Sequence, residues 1–94
     1  MHDYVIQQLI DLAVTHSVRK VLLFGSRARG DHSLVSDYDF AIYGDGLSDI
    51  AKARFSGDVE EIKTLKKIDI VFVDARTPKE LLRNILQEGV VIYE

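Results

Sequence analysis

Cysteine is absent from the 94 residues, which removes disulfides, zinc-thiolate centres and thiol nucleophiles from the possible chemistries. The absence fits a reducing compartment, and the expected location is the cytoplasm. Pro78 is the only proline. No long apolar run occurs, and Met1 to Tyr4 carries Asp3 and no basic cluster. Neither a signal peptide nor a membrane contact is expected. Repeats, low-complexity runs and linkers are also missing. So is an excess of positive charge: the net charge is −3, opposite in sign to a small basic module that coats nucleic acid. Direct nucleic-acid binding is therefore not expected.

What is present suits one small globular domain, 1–94, with a single core. Hydrophobic residues make up 47% and charged residues 29%, an ordinary soluble balance. Ile6, Leu9, Ile10 and Ala13 recur at helical spacing, predicting a helix from Asp3 to about His16. Lys20 to Phe24 reads as a buried strand ending at Gly25. Ser26 to Arg29 reads as a turn or short helix stopped by Gly30, and Asp31 to Ser36 as a loop. Asp37 to Tyr43 alternates as a second strand, with Tyr38, Phe40 and Ile42 on one face and Asp37, Asp39, Ala41 and Tyr43 on the other. Leu47, Ile50, Ala51 and Phe55 predict a helix broken at Gly57. Asp58 would then cap a second short helix, with Glu61 as its capping-box partner and Val59, Ile62 and Leu65 as its buried stripe. Ile68 to Val73 is a third strand. Thr77 is a candidate N-cap before Pro78, Leu81, Leu82, Ile85 and Leu86 line the last helix, and Gly89 stops it. Val90 to Tyr93 closes the chain as a short edge strand. The fold class is α/β, a mixed sheet with flanking helices.

Three features carry chemistry. Gly25-Ser26 ends a strand and opens a helical turn, where glycine admits a ligand to the backbone and free amides attract phosphate. Arg27 and Arg29 bring cations to the same corner. By itself, this is an ordinary strand-to-helix turn with solvated arginines. Asp37 and Asp39 are spaced by two at a strand start, so both carboxylates share a face, about 7 Å apart by strand geometry. Two ionised carboxylates so placed favour a hard divalent cation such as magnesium. By themselves, they are a solvated loop end. Asp69 interrupts an apolar strand, where a carboxylate needs a cation, a partner or an exposed side. An edge position facing water accounts for it equally well.

The three features together say more. A first strand antiparallel to the second, with the second and third parallel, brings Gly25-Ser26 and the three aspartates to one end of the sheet. Phosphate donors beside a carboxylate cluster are what two-metal phosphoryl transfer requires.

The spacing Gly25-Ser26, ten residues, Asp37-Tyr38-Asp39 resembles the signature of the nucleotidyltransferase superfamily that includes DNA polymerase beta. The stretch GSRARGDHSLVSDYDF is similar to its minimal bacterial branch, the MNT proteins. Asp69 in KIDIVFVD matches that branch's third acidic position, and EGVVIYE is similar to its closing strand. The resemblance implies a single minimal domain with the palm-like fold of polymerase beta. It implies that Asp37, Asp39 and Asp69 hold magnesium, with two ions during catalysis, and that Asp69 helps activate the acceptor hydroxyl. Gly25 and Ser26, and more weakly Arg27 and Arg29, would hold the phosphates of ATP. Larger relatives carry a further helical domain, for which no residues remain here. MNT proteins are often antitoxins paired with a helical HEPN RNase toxin, to whose tyrosine they transfer AMP. A HEPN-type toxin forming a hetero-oligomer is thus the expected partner, and an exposed apolar patch should mark the contact.

Two other functions compete. One is a binding module that neutralises its toxin by contact alone, for which a carboxylate triad has no use. The other is a nucleotidyltransferase acting on a small molecule or RNA end with a partner subunit. The remaining polar residues read as structural: His2, His16 and His32 as solvated, Lys63, Lys66 and Lys67 likewise, and Tyr38 and Tyr43 as packing residues.

Overall fold

The computed structural model describes residues 3–31, 33 and 36–94. His2 and His32 fall outside them. The elements run α1 (Tyr4–Thr15), β1 (Lys20–Phe24), α2 (Ser26–Arg29), β2 (Tyr38–Tyr43), α3 (Asp49–Glu60), β3 (Ile68–Phe72), α4 (Lys79–Glu88) and β4 (Val90–Tyr93). The sheet order is β3-β2-β1-β4. β1 runs antiparallel to both β2 and β4, and β2 runs parallel to β3. The expected mixed sheet with flanking helices is what the chain forms.

Strand alternation divides the core in two. Val21, Leu23, Tyr38, Phe40 and Ile42 face α1 and α3, meeting Val5, Leu9, Ala13, Phe55 and Val59. Leu22, Phe24 and Ala41 face α4 and meet Ile85. Phe40, Phe55, Leu9, Ile42 and Ile85 are fully buried, and truncating one of them to alanine costs about 2–5 kcal/mol. Asp3 caps α1 by accepting the Ile6 amide at 3.1 Å. Ser48 caps α3 by accepting the Ala51 amide at 3.1 Å. Among the described residues, no helix is long and apolar enough to cross a membrane.

Five local expectations need correction. α3 does not break at Gly57 but continues to Glu60, because burial of Phe55 and Val59 one turn apart outweighs glycine's weak helix propensity. Asp58 is accordingly no N-cap; its carboxylate lies 2.7 Å from His16 Nε2, tying α3 to the end of α1. His16 is therefore engaged rather than solvated, and its ring meets Phe55 edge-on. Leu65 lies beyond the helix and is fully exposed, so the predicted stripe stops at Ile62. At α4 it is Pro78 that occupies the cap position, while Thr77 Oγ1 accepts the Asp74 amide in the preceding turn.

An open apolar groove of about 660 Å³ lies between α1, α2 and β4, lined by Ile6, Ile10, Leu23, Val90 and Ile92 among others. Tyr4 and Val90 on its rim are about half exposed. This answers the expectation of an exposed apolar patch.

A Cβ at Gly57 would meet nothing within 4 Å. Gly57→Ala should therefore stabilise the domain by about 0.5–1 kcal/mol, read as a rise in urea midpoint at unchanged slope.

Candidate active site

The site is built where β1 ends and β2 and β3 begin. Asp39 stands opposite Asp69 in the parallel ladder and opposite Phe24 in the antiparallel one. Directly opposed positions put side chains about 5 Å apart at Cβ. Asp37 precedes β2 and is exposed, two residues upstream of Asp39. The backbone between them is fixed by the Tyr38 amide, which donates to the Lys67 carbonyl at 2.9 Å. Asp39 and Asp69 lie on the α4 side of the sheet with Ala41 and Val71.

Electrostatics couple the three carboxylates. Burial pushes the Asp39 carboxyl up, and the negative fields of Asp69 and then Asp37 push it further, while Arg29 and Lys67 oppose the rise. Lys67 Nζ lies 3.6 Å from Asp69 Oδ1. Its place in the site was missed in the sequence, although its position two residues before Asp69, at the entry to β3, could have shown it. Both partners are substantially exposed, so the pair itself contributes little to stability. Among the described residues, no three carboxylate or imidazole groups already stand as a closed metal cage. The aspartates share one sheet end and one field, short of coordination geometry.

Gly25 reaches the same corner. Its φ of 77° and ψ of −159° fall in a region essentially restricted to glycine. A Cβ there would also collide with the Asp39 carboxylate. The backbone thus passes beside Asp39 with no side chain between. Ser26 opens α2, where the first amides have no intrahelical acceptor.

The two arginines diverge. Arg29 donates to Asp31 Oδ2 at 3.1 Å and Glu88 Oε2 at 2.9 Å, joining α2 to the end of α4 on the carboxylate side. Arg27 was expected beside the phosphates, but the structure turns it the other way. Its guanidinium lies 3.9 Å from the centre of the Tyr38 ring, and Nε and Nη2 donate to the Ser36 carbonyl at 3.1 and 3.0 Å. Two positions along a helix rotate a side chain by about 200°, so one arginine faces each side of the sheet. Tyr38 is a packing residue, as expected, buried and stacked near Phe40.

The sheet order, the glycine turn and the paired aspartates place this chain among nucleotidyl-transferring enzymes. It belongs to the polymerase beta nucleotidyltransferase family, which it matches over residues 7–94. It is 30% identical over 86 residues to MJ0435 of Methanocaldococcus jannaschii, provisionally assigned as a protein adenylyltransferase, covering 89% of each chain. Its fold superimposes with a TM-score of 0.69 on a solved structure provisionally assigned as a minimal nucleotidyltransferase, at 26% identity, covering 90% of this chain and 86% of that one. A TM-score of 0.63 relates it, at 18% identity, to a structure of a tri-AMPylated Shewanella oneidensis HEPN toxin in complex with an MNT antitoxin, covering 94% and 68% of the two chains. The expected family and fold are both correct.

Asp39→Asn tests the electrostatic reading. A carboxyl whose folded pKa is raised stabilises the fold least above that pKa, where both states are ionised and the repulsion is fully present. In metal-free buffer the variant should therefore melt higher than wild type at pH 7. The gain should fade as pH falls through the raised folded pKa toward the ordinary carboxylate value. A variant melting no higher at pH 7 would remove crowding as the cause.

Proposed function

We propose that the chain transfers AMP from ATP to a hydroxyl of a protein partner, a tyrosine of a HEPN-type toxin, and so acts as that toxin's antitoxin. The observation that carries this reading is the meeting of Gly25 with Asp39, itself paired with Asp69, at one sheet end. Phosphate-binding backbone and reactive carboxylates thereby share a corner. The similarity to the M. jannaschii adenylyltransferase supports AMP as the group transferred. The fold shared with the HEPN–MNT complex, together with the open apolar groove beside β4, supports a protein acceptor held by contact. The same reading makes residues 1–94 one catalytic domain, working in the cytoplasm where ATP and a soluble toxin meet.

In this scheme the Gly25-Ser26 turn receives the triphosphate, and the Ser26 hydroxyl donates to a phosphate oxygen. Arg29, on the carboxylate side, neutralises part of the same charge. Asp69 accepts the acceptor's proton as its oxygen bonds to the α-phosphorus, and the bond to pyrophosphate breaks. The cluster is all oxygen and carries surplus negative field at Asp39, which suits a hard divalent cation; Asp37, Asp39 and Asp69 would hold it. Magnesium there supplies Lewis acidity to phosphoryl oxygens and charge for the leaving pyrophosphate.

The test incubates purified protein with α-labelled ATP, magnesium and the product of its neighbouring gene, beside an Asp37→Ala/Asp39→Ala variant. Label should appear on a tyrosine of the neighbour with wild type and fall at least about a thousandfold with the variant, the scale of losing the main electrostatic element of a site. Tight complex formation by both proteins with no label from either would leave a contact-only antitoxin.

A further inference from the structure

Arg27 is gripped rather than free. Its guanidinium spends two donors on the Ser36 carbonyl and lies over the Tyr38 ring, 3.9 Å from its centre. Tyr38, only 3% exposed, is anchored at its far end by a 2.7 Å hydrogen bond from its hydroxyl to Asp3 Oδ2. Asp3 in turn accepts the Ile6 amide through Oδ1. Burial, the Asp3 hydrogen bond and the Asp3 charge together push the Tyr38 phenol up to about 12, so it stays a donor throughout the working pH range. Burial works against the Asp3 carboxylate, but the Tyr38 hydroxyl, the Ile6 and Val5 amides and Arg27 outweigh it and hold its pKa below the usual value.

The order along the chain gives these contacts their meaning. Ser36 immediately precedes Asp37, and Tyr38 separates Asp37 from Asp39. From 36 to 39, the two residues that Arg27 touches alternate in sequence with the two carboxylates. Asp37 lies outside the strand ladder, so its placement depends on its two neighbours.

We propose that Arg27 is a positioning residue for nucleotidyl transfer, setting Asp37 and Asp39 through the Ser36 carbonyl and the Tyr38 ring without touching the nucleotide. The proposal rests on Asp37 and Asp39 being the reactive carboxylates. A planar fork is required, because one face must lie on an aromatic ring while two N–H groups meet one oxygen. A lysine supplies the charge but neither the plane nor the fork. Displacing a reacting group by about 1 Å can lower a rate about a hundredfold.

Arg27→Ala and Arg27→Lys separate this role from phosphate binding. Both variants should lose about 10- to 100-fold in kcat while KM for ATP stays within about threefold, and lysine should rescue little. In the metal-free protein, amide hydrogen exchange at Tyr38, whose N–H donates to the Lys67 carbonyl, and at Asp39 should quicken about tenfold in Arg27→Ala, with α4 unaffected. Tyr38→Phe, which keeps the ring under Arg27 but drops the Asp3 bond, should give the same pattern more weakly. A KM for ATP raised tenfold with kcat preserved, and restored by lysine, would make Arg27 a phosphate ligand and overturn the proposal. Unchanged exchange in Arg27→Ala would overturn it as well. Should wild type transfer no nucleotide at all, the functional reading falls, while the exchange measurement still decides whether Arg27 sets the two aspartates.

Discussion

Two carboxylates opposed across a parallel strand pair repel each other, and the domain nevertheless holds Asp39 and Asp69 in that register. The register cannot relax by one residue. Side chains alternate with a period of two, so a slip would carry Phe40 and Ile42 out of the α1–α3 core and bring Asp39 into it. Hydrophobic burial on one face thus enforces electrostatic crowding on the other. The crowding is strongest at Asp39, where burial and two like charges act together. Such crowding comes at some expense to the stability of the free protein.

The flanking pieces extend the same division of labour. α2 is only one turn long, yet it sends Arg29 to the carboxylate side and Arg27 to the core side. Arg29 links to α4 through Glu88. Arg27 links to α1 through Tyr38 and Asp3. The short turn between the first two strands is thereby tied to helices on both faces of the sheet. Gly25, just before it, must be glycine both for its backbone angles and for its approach to Asp39.

The strands were legible because alternation is a local signal: the faces of 37–43 and 68–73 could be assigned residue by residue. The convergence of Gly25 with Asp37, Asp39 and Asp69 was legible because an antiparallel first strand beside two parallel ones brings all of them to the same end. α3 was misjudged because glycine's propensity is local, whereas the burial of Phe55 and Val59 that overrides it is tertiary. The His16–Asp58 pair joins residues 42 apart in sequence and leaves no periodic trace. The direction of Arg27 depends on how a four-residue helix is rotated against the sheet, which composition does not encode. Lys67 was hidden in a basic run that looked like solvated surface.

Residues 25, 39 and 69 come from three segments, each separated by a connection that contains a helix. No contiguous fragment shorter than about half the chain contains them all. The antiparallel and parallel pairings must both close before the corner exists, and parallel pairing is among the slower steps a small chain takes. A chain in which either pairing is still open therefore has no carboxylate centre. The corner is thus a property of the closed sheet and of no single segment of the chain.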